Sequence, residues 1–145
     1  MTAGRRLLLA TGIAIVGGCV FVDEPCACSP TPSVVVPVSG TIVEASGARA
    51  SGVEVRGRLY DGECPATSDG PTLVDLMHQR SGASGTFRFE LRDFFLLDSG
   101  CVRVTAHRDP LAAPAVTFTQ QVRVGLDAAG RPFDSVRVTL TLPAR

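Results

Sequence analysis

The 145-residue chain contains no Lys, no Asn and no Trp, and only one Tyr. All fourteen fixed positive charges are therefore Arg, which excludes a Schiff-base amine and a phosphate-loop lysine. Without Asn there is no N-glycan acceptor and no Lys–Asn isopeptide cross-link. Without Trp, a sugar-stacking platform would have to rest on Tyr60 or on the Phe residues. Formal net charge is +0 and the pI is near 6.7, which argues against a nucleic-acid partner. The length suits one domain, and a core of this size stands without a metal or other cofactor.

What is present begins with an export pattern. Arg5 and Arg6 form a positive start, Leu7 to Val16 an apolar segment, and Gly17 and Gly18 lead into Cys19. A spanning helix needs about 20 apolar residues, whereas Leu7 to Val22 supplies sixteen before Asp23 and Glu24. Val16-Gly17-Gly18-Cys19 resembles the bacterial lipobox. The resemblance implies diacylglycerol on the Cys19 sulfur, cleavage before Cys19 and acylation of the new N-terminus, for example by palmitate. Several acyl chains give the stable anchoring that one cannot. Arg5-Arg6 followed by three Leu only partly matches a twin-arginine signal, so general secretion is expected. The expected organisation is a signal peptide over 1–18, a lipidated Cys and Pro-rich tether over 19–33, and a β-sandwich over 34–145. Loss of 1–18 removes Arg5 and Arg6 and leaves the mature chain about two charges negative, twelve Arg against fourteen acids. No Asp directly follows Cys19, which favours the outer membrane in an organism that has one. The expected location is thus the cell envelope, with the membrane as partner through the anchor and envelope proteins or surface polymers as further partners. Extended, the tether from Cys19 to Val34 reaches at most about 50 Å.

From Val34 onward the apolar residues recur with period 2. Phe87, Phe89 and Leu91 alternate with Arg88, Glu90 and Arg92, and Val136, Val138, Leu140 and Leu142 alternate with Arg137, Thr139 and Thr141. Val102, Val104 and Ala106 alternate with Arg103, Thr105 and His107, which places His107 on a wet face. The pattern predicts strands at 36–44, 52–60, 73–80, 86–92, 101–107, 115–124 and 134–142, arranged as a seven-stranded antiparallel β-sandwich. Leu73, Val74, Leu76 and Met77 also fit one face of a helix. The apolar run Phe94 to Leu97 predicts a buried corner.

Three segments carry a family resemblance. Val38-Ser39-Gly40-Thr41-Ile42, then Ser51-Gly52-Val53-Glu54-Val55, resemble the opening of a carboxypeptidase regulatory-like domain. Ser81-Gly82-Ala83-Ser84-Gly85-Thr86-Phe87 resembles its later Thr-Asp-x-x-Gly-x-Phe turn, with Gly82 where Asp is common. Cys101 to Ala106 resembles the following central strand. The resemblance covers 36–108 and implies a transthyretin-like (prealbumin-like) sandwich that acts as an accessory rather than catalytic domain. Transthyretin-like hydroxyisourate hydrolases end in Tyr-Arg-Gly-Ser, whereas this chain ends Thr141-Leu142-Pro143-Ala144-Arg145.

With Cys19 lipidated, four Cys remain, an even number that suits disulfides in an exported protein. Three pairings are possible. The most attractive joins Cys64, after the second strand, to Cys101, at the head of the fifth; Cys26 and Cys28 lie in the tether. Neither His78 nor His107 has zinc-ligand spacing, and no Gly-x-Ser-x-Gly elbow occurs. These features lead to the expectation of a noncatalytic, membrane-anchored binding or assembly module rather than an enzyme, with no catalytic, metal or cofactor residues. The alternative is a cell-surface carbohydrate-binding module, which requires exposed aromatics. A pocket joining His78 or His107 to several polar groups would instead revive an enzyme.

Overall fold

A computed structural model describes residues 34–67, 73–93 and 98–144. The signal segment, Cys19, Cys26, Cys28, the tether and the predicted corner at 94–97 lie outside the described residues. The strands are β1 (Val34–Val43), β2 (Glu54–Asp61), β3 (Leu73–Arg80), β4 (Thr86–Asp93), β5 (Ser99–His107), β6 (Val116–Arg123) and β7 (Val136–Thr141). They form a three-stranded sheet, β4-β1-β7, packed on a four-stranded sheet, β3-β2-β5-β6. The all-β sandwich expected from the period-2 pattern is the fold. No helix among the described residues is long and apolar enough to cross a membrane.

One pairing departs from the antiparallel expectation. β1 and β7 run parallel, with Val38 opposite Val136 and Ile42 opposite Leu140. A tight hairpin forces antiparallel neighbours. These two strands are separated by the rest of the domain, and the chain crosses from the larger sheet at β6 to the smaller at β7, so no hairpin constrains their direction.

Strict alternation follows from burial of one face. On β4, Phe87, Phe89, Leu91 and Asp93 are buried while the residues between them are exposed. Phe87, Phe89 and Leu91 share one core cluster with Val36, Val38 and Ile42 of β1, and with Val55 and Leu59 of β2 across the sandwich. Each such apolar side chain stabilises the fold by about 1.5–3 kcal/mol when fully buried. The ambiguous stretch 73–80 is a strand because it lies at the sheet edge against β2, where Val74 packs on the core and Leu73 and Met77 are left exposed.

β5 breaks the alternation. Every residue from Gly100 to His107 is buried, including Arg103, Thr105 and His107. Two loops account for this. The segment after β2 is tied down by a disulfide between Cys64 and Cys101, with Cα atoms 5.2 Å apart. Carbonyls of Pro65 and Thr67 in the same segment accept hydrogen bonds from the Arg103 guanidinium, whose carbon lies 5.2 Å from the centroid of the buried Tyr60 ring. The segment after β5 folds back so that the Ala115 amide donates to the Ala106 carbonyl at 2.8 Å. The outer face of the larger sheet is therefore covered along its centre, and the expectation of a solvated His107 is corrected.

Candidate functional site

The outer face of β2 and β5 carries a column of polar residues in register. Arg56 stands opposite Thr105, Glu54 opposite His107 and Arg58 opposite Arg103. Successive residues of a strand point to opposite faces, so 54, 56 and 58 share one side with 103, 105 and 107. The returning segment 108–114 roofs one end of this column and leaves a cavity of about 430 Å³ lined by Arg56, Arg58, Thr105, His107, Leu111 and Ala112, among others.

Four hydrogen bonds help to hold the roof in place. Arg108 donates to both carboxylate oxygens of Glu44, at 3.1 and 2.6 Å, and that pairing raises the Arg108 pKa further above its ordinary value. Arg56 Nη2 donates to the Pro110 carbonyl at 2.6 Å. Asp109 Oδ1 accepts the Leu111 amide at 2.9 Å, a local turn of the kind Asp forms readily. Leu111, at the outermost point of the loop, is 96% exposed.

His107 is 4% exposed, and both ring nitrogens are engaged. Nδ1 lies 3.2 Å from the Ala112 carbonyl and Nε2 lies 3.0 Å from Thr105 Oγ1. A carbonyl can only accept, so in the neutral ring the proton sits on Nδ1 and the Nε2 lone pair accepts the Thr105 hydroxyl proton. This orders a hydroxyl, a base and an orienting acceptor in one line. Arg56 also donates from Nε to Glu54 Oε1 at 2.6 Å. A guanidinium has five N–H donors, so Arg56 retains donors beyond the bonds to Glu54 and Pro110.

Glu54 has its pKa lowered, first by the Arg56 hydrogen bond, against a smaller opposing effect of burial, and then by electrostatic interaction with Arg56, His107 and His78. His78 itself is exposed on β3, with Nδ1 4.0 Å from Glu54 Oε1. It belongs to the rim of the cluster rather than to the cavity wall. Among the described residues no three His, Cys, Asp or Glu side chains are grouped to hold a metal ion.

Sequence reasoning placed His107 in solvent and did not single out Arg56, Arg58 or Thr105. Their convergence depends on the β2–β5 register and on the roof over it. The motif Arg56-Gly57-Arg58, two cations on one face of a strand, is the signal that was there to be used.

No protein-family model matches the sequence, and no curated protein matches it. Among solved structures, the chain is similar to the dioxygenase domain of a dioxygenase–carbohydrate-binding protein fusion from Streptomyces sp. SirexAA-E. That match has 18% identity and a TM-score of 0.41, covering 81% of this chain and 84% of that one. It is also similar to catechol 1,2-dioxygenase from Pseudomonas arvilla C-1, at 13% identity and a TM-score of 0.43, covering 81% of this chain and 54% of that one. A third is (S)-allantoin synthase, at 13% identity and a TM-score of 0.37, covering 79% of this chain and 42% of that one. The chain thus spans about half the length of the catechol dioxygenase it matches.

These solved chains are named as dioxygenases and an allantoin synthase, and the expectation of a noncatalytic module without enzyme activity is not carried forward. At these scores the likeness assigns no reaction or substrate to this chain. The carbohydrate-binding alternative is withdrawn on the aromatic rings it required. Tyr60 is fully buried, and Phe133, the exposed aromatic among the described residues, has the Arg123 guanidinium carbon 5.5 Å from its ring centroid. The similar chains are not transthyretin-like; the coarser all-β sandwich is what stands.

Proposed function

We propose that this chain is an exported, lipid-anchored envelope protein whose sandwich hydrolyses a small ester bearing a carboxylate or phosphate. The observation that carries this reading is the Thr105–His107–Ala112 alignment in a cavity also lined by Arg56 and Arg58. The guanidinium groups supply donors for the anionic end of the substrate. As Thr105 Oγ1 attacks the carbonyl carbon, its proton passes to His107 Nε2. The imidazolium then protonates the departing alcohol, and water hydrolyses the acyl-threonine with His107 as base.

The anchoring part of the proposal rests on Val16-Gly17-Gly18-Cys19 and on the apolar segment before it. The carboxypeptidase regulatory-like ancestry of the sandwich is supported by where its motif residues fall. Val38 to Ile42 lie on β1, Ser51 to Val55 lead into β2, and Ser81 to Phe87 make the β3–β4 turn.

The test is turnover of nitrophenyl half-esters of dicarboxylic acids by the purified protein, compared with the neutral acetate ester. The anionic ester is expected to be preferred. His107→Ala and Thr105→Val should each lose about 100-fold or more, the scale of general-base and nucleophile loss, while Thr105→Ser retains activity. An acyl adduct on residue 105, seen by mass spectrometry, would complete the case. Equal turnover by His107→Ala overturns it.

A further inference from the structure

The outer face of the smaller sheet places two arginines, without a carboxylate partner among the described residues, on either side of one strand. Elsewhere five arginines are paired with carboxylates: Arg56 with Glu54, Arg92 with Glu90, Arg108 with Glu44, Arg123 with Asp134 and Arg131 with Asp127. Arg88 on β4 and Arg137 on β7 are exposed and have no such partner among the described residues, and neither has Arg80 at the end of β3.

Their placement is set by register. Ser39 of the central strand β1 lies opposite Arg88 on one side and opposite Arg137 on the other. Neighbouring strands are about 4.8 Å apart, so the two arginines stand about 10 Å apart with only a serine between them. Two residues along, Thr41 lies between Thr86 and Thr139 in the same way. The result is a trough along β1 with a floor of small hydroxyl side chains, flanked at the Ser39 row by one guanidinium on each side, with Glu90 two residues along β4 from Arg88. A hollow of about 780 Å³ extends from the Arg88–Ser39–Arg137 row past Thr41 toward Arg80. A second of about 190 Å³ extends from the same row toward Pro37 and Ser135. No carboxylate lines either hollow.

We propose that this trough binds a linear phosphodiester-linked polyol, lying along β1 with one phosphate between Arg88 and Arg137. Charge selects an anion, and the arginine fork suits phosphate oxygens. Two hollows meeting at one arginine pair suit a chain that runs through rather than a compact anion. Backbone groups of β1 are engaged by β4 and β7, so a peptide could not add as a strand here. The hydroxyl floor offers no exposed aromatic ring on which a sugar ring or nucleobase could stack, which favours an open-chain polyol. This site lies on the opposite sheet from the Thr105–His107 cavity and stands independently of it.

The experiment is calorimetric titration of the full-length purified protein with a poly(glycerol phosphate) oligomer at low salt and at 0.3 M salt. Binding is expected at low salt, weakened tenfold or more by Arg88→Ala/Arg137→Ala and by the added salt, whose screening acts on exposed charges. Arg88→Lys/Arg137→Lys should recover part of the affinity, and Arg131→Ala, in the β6–β7 loop and paired with Asp127, should bind as wild type. Unchanged binding by the double Ala variant overturns the proposal. So does equal or tighter binding of polygalacturonate, single-stranded DNA or anionic lipid vesicles at matched charge.

Discussion

The ring of Phe89 on β4 occupies the space that a side chain at position 57 on β2 would need. A Cβ built on Gly57 runs directly into that ring, so the two sheets close together through a glycine facing an aromatic. Phe89 also stacks beside Phe87, with ring centroids 5.9 Å apart. Gly57→Ala is therefore expected to destabilise the domain by about 1–3 kcal/mol, the usual effect of overpacking. Phe89→Ala should cost about 3–5 kcal/mol as a large core truncation. Combined, they should cost clearly less than the sum, because the small ring-free side chain admits the alanine. Urea midpoints of the three variants check this, and strict additivity would separate the two residues.

The disulfide spans 37 residues of sequence and fastens a long segment over Tyr60 and Arg103. In the chain-entropy picture a loop of that length is worth about 4 kcal/mol. Cys64→Ser and Cys101→Ser should each lose most of that, and reductant should shift the wild-type midpoint but not those of the variants. Faster amide exchange in the 61–67 segment of the reduced protein would locate the effect.

Glu54 gives the fold an acid-sensitive contact. Its carboxyl pKa is lowered in the folded state, chiefly by the Arg56 hydrogen bond. The unfolded chain therefore takes up the proton first as pH falls. The contribution is fully present above the ordinary carboxylate value and is lost as pH drops through the lower, folded one. Glu54→Gln should reduce the acid-side slope of stability against pH while leaving the neutral and alkaline slope alone. Denaturation midpoints measured from pH 7 down to pH 3 give the comparison, and parallel curves would remove Glu54 as a cause.

Lipidation is expected to depend on one atom, the Cys19 sulfur. Cys19→Ala should abolish incorporation of labelled palmitate and leave an unprocessed precursor of higher apparent mass. Wild-type labelling of the variant would end the lipobox reading without touching either site on the sandwich.

Where one face of a strand is buried and the other wet, the fold could be read from residue order. β4 shows this best, because Phe87, Phe89 and Leu91 turn inward and Arg88, Glu90 and Arg92 outward. β5 has the same alternation in its residues and not in its burial. Arg103, Thr105 and His107 are covered by segments 61–67 and 108–114, and such cover leaves no periodic mark on the strand beneath it. The candidate cavity was illegible for a related reason: Arg56 and Thr105 are 49 positions apart and meet only through the β2–β5 register. Ser81 is a smaller instance. It was read as an ordinary turn residue, yet it is buried, with its hydroxyl donating to the Ala50 carbonyl at 2.9 Å and accepting the Val53 amide at 3.1 Å.

The parallel pairing of β1 with β7 also governs the order of events in folding. β1 is the middle strand of its sheet, and one of its two edges can be satisfied only by residues nearly a hundred positions later. β2, β3, β5 and β6 can assemble as the larger sheet while β1 is held by β4 alone. A chain emerging N-terminus first from a ribosome or a translocation channel must therefore keep half of that central strand unpaired until β7 arrives. Long-range closure of this kind is slow, and the waiting edge of β1 is the surface a chaperone would have most reason to shield.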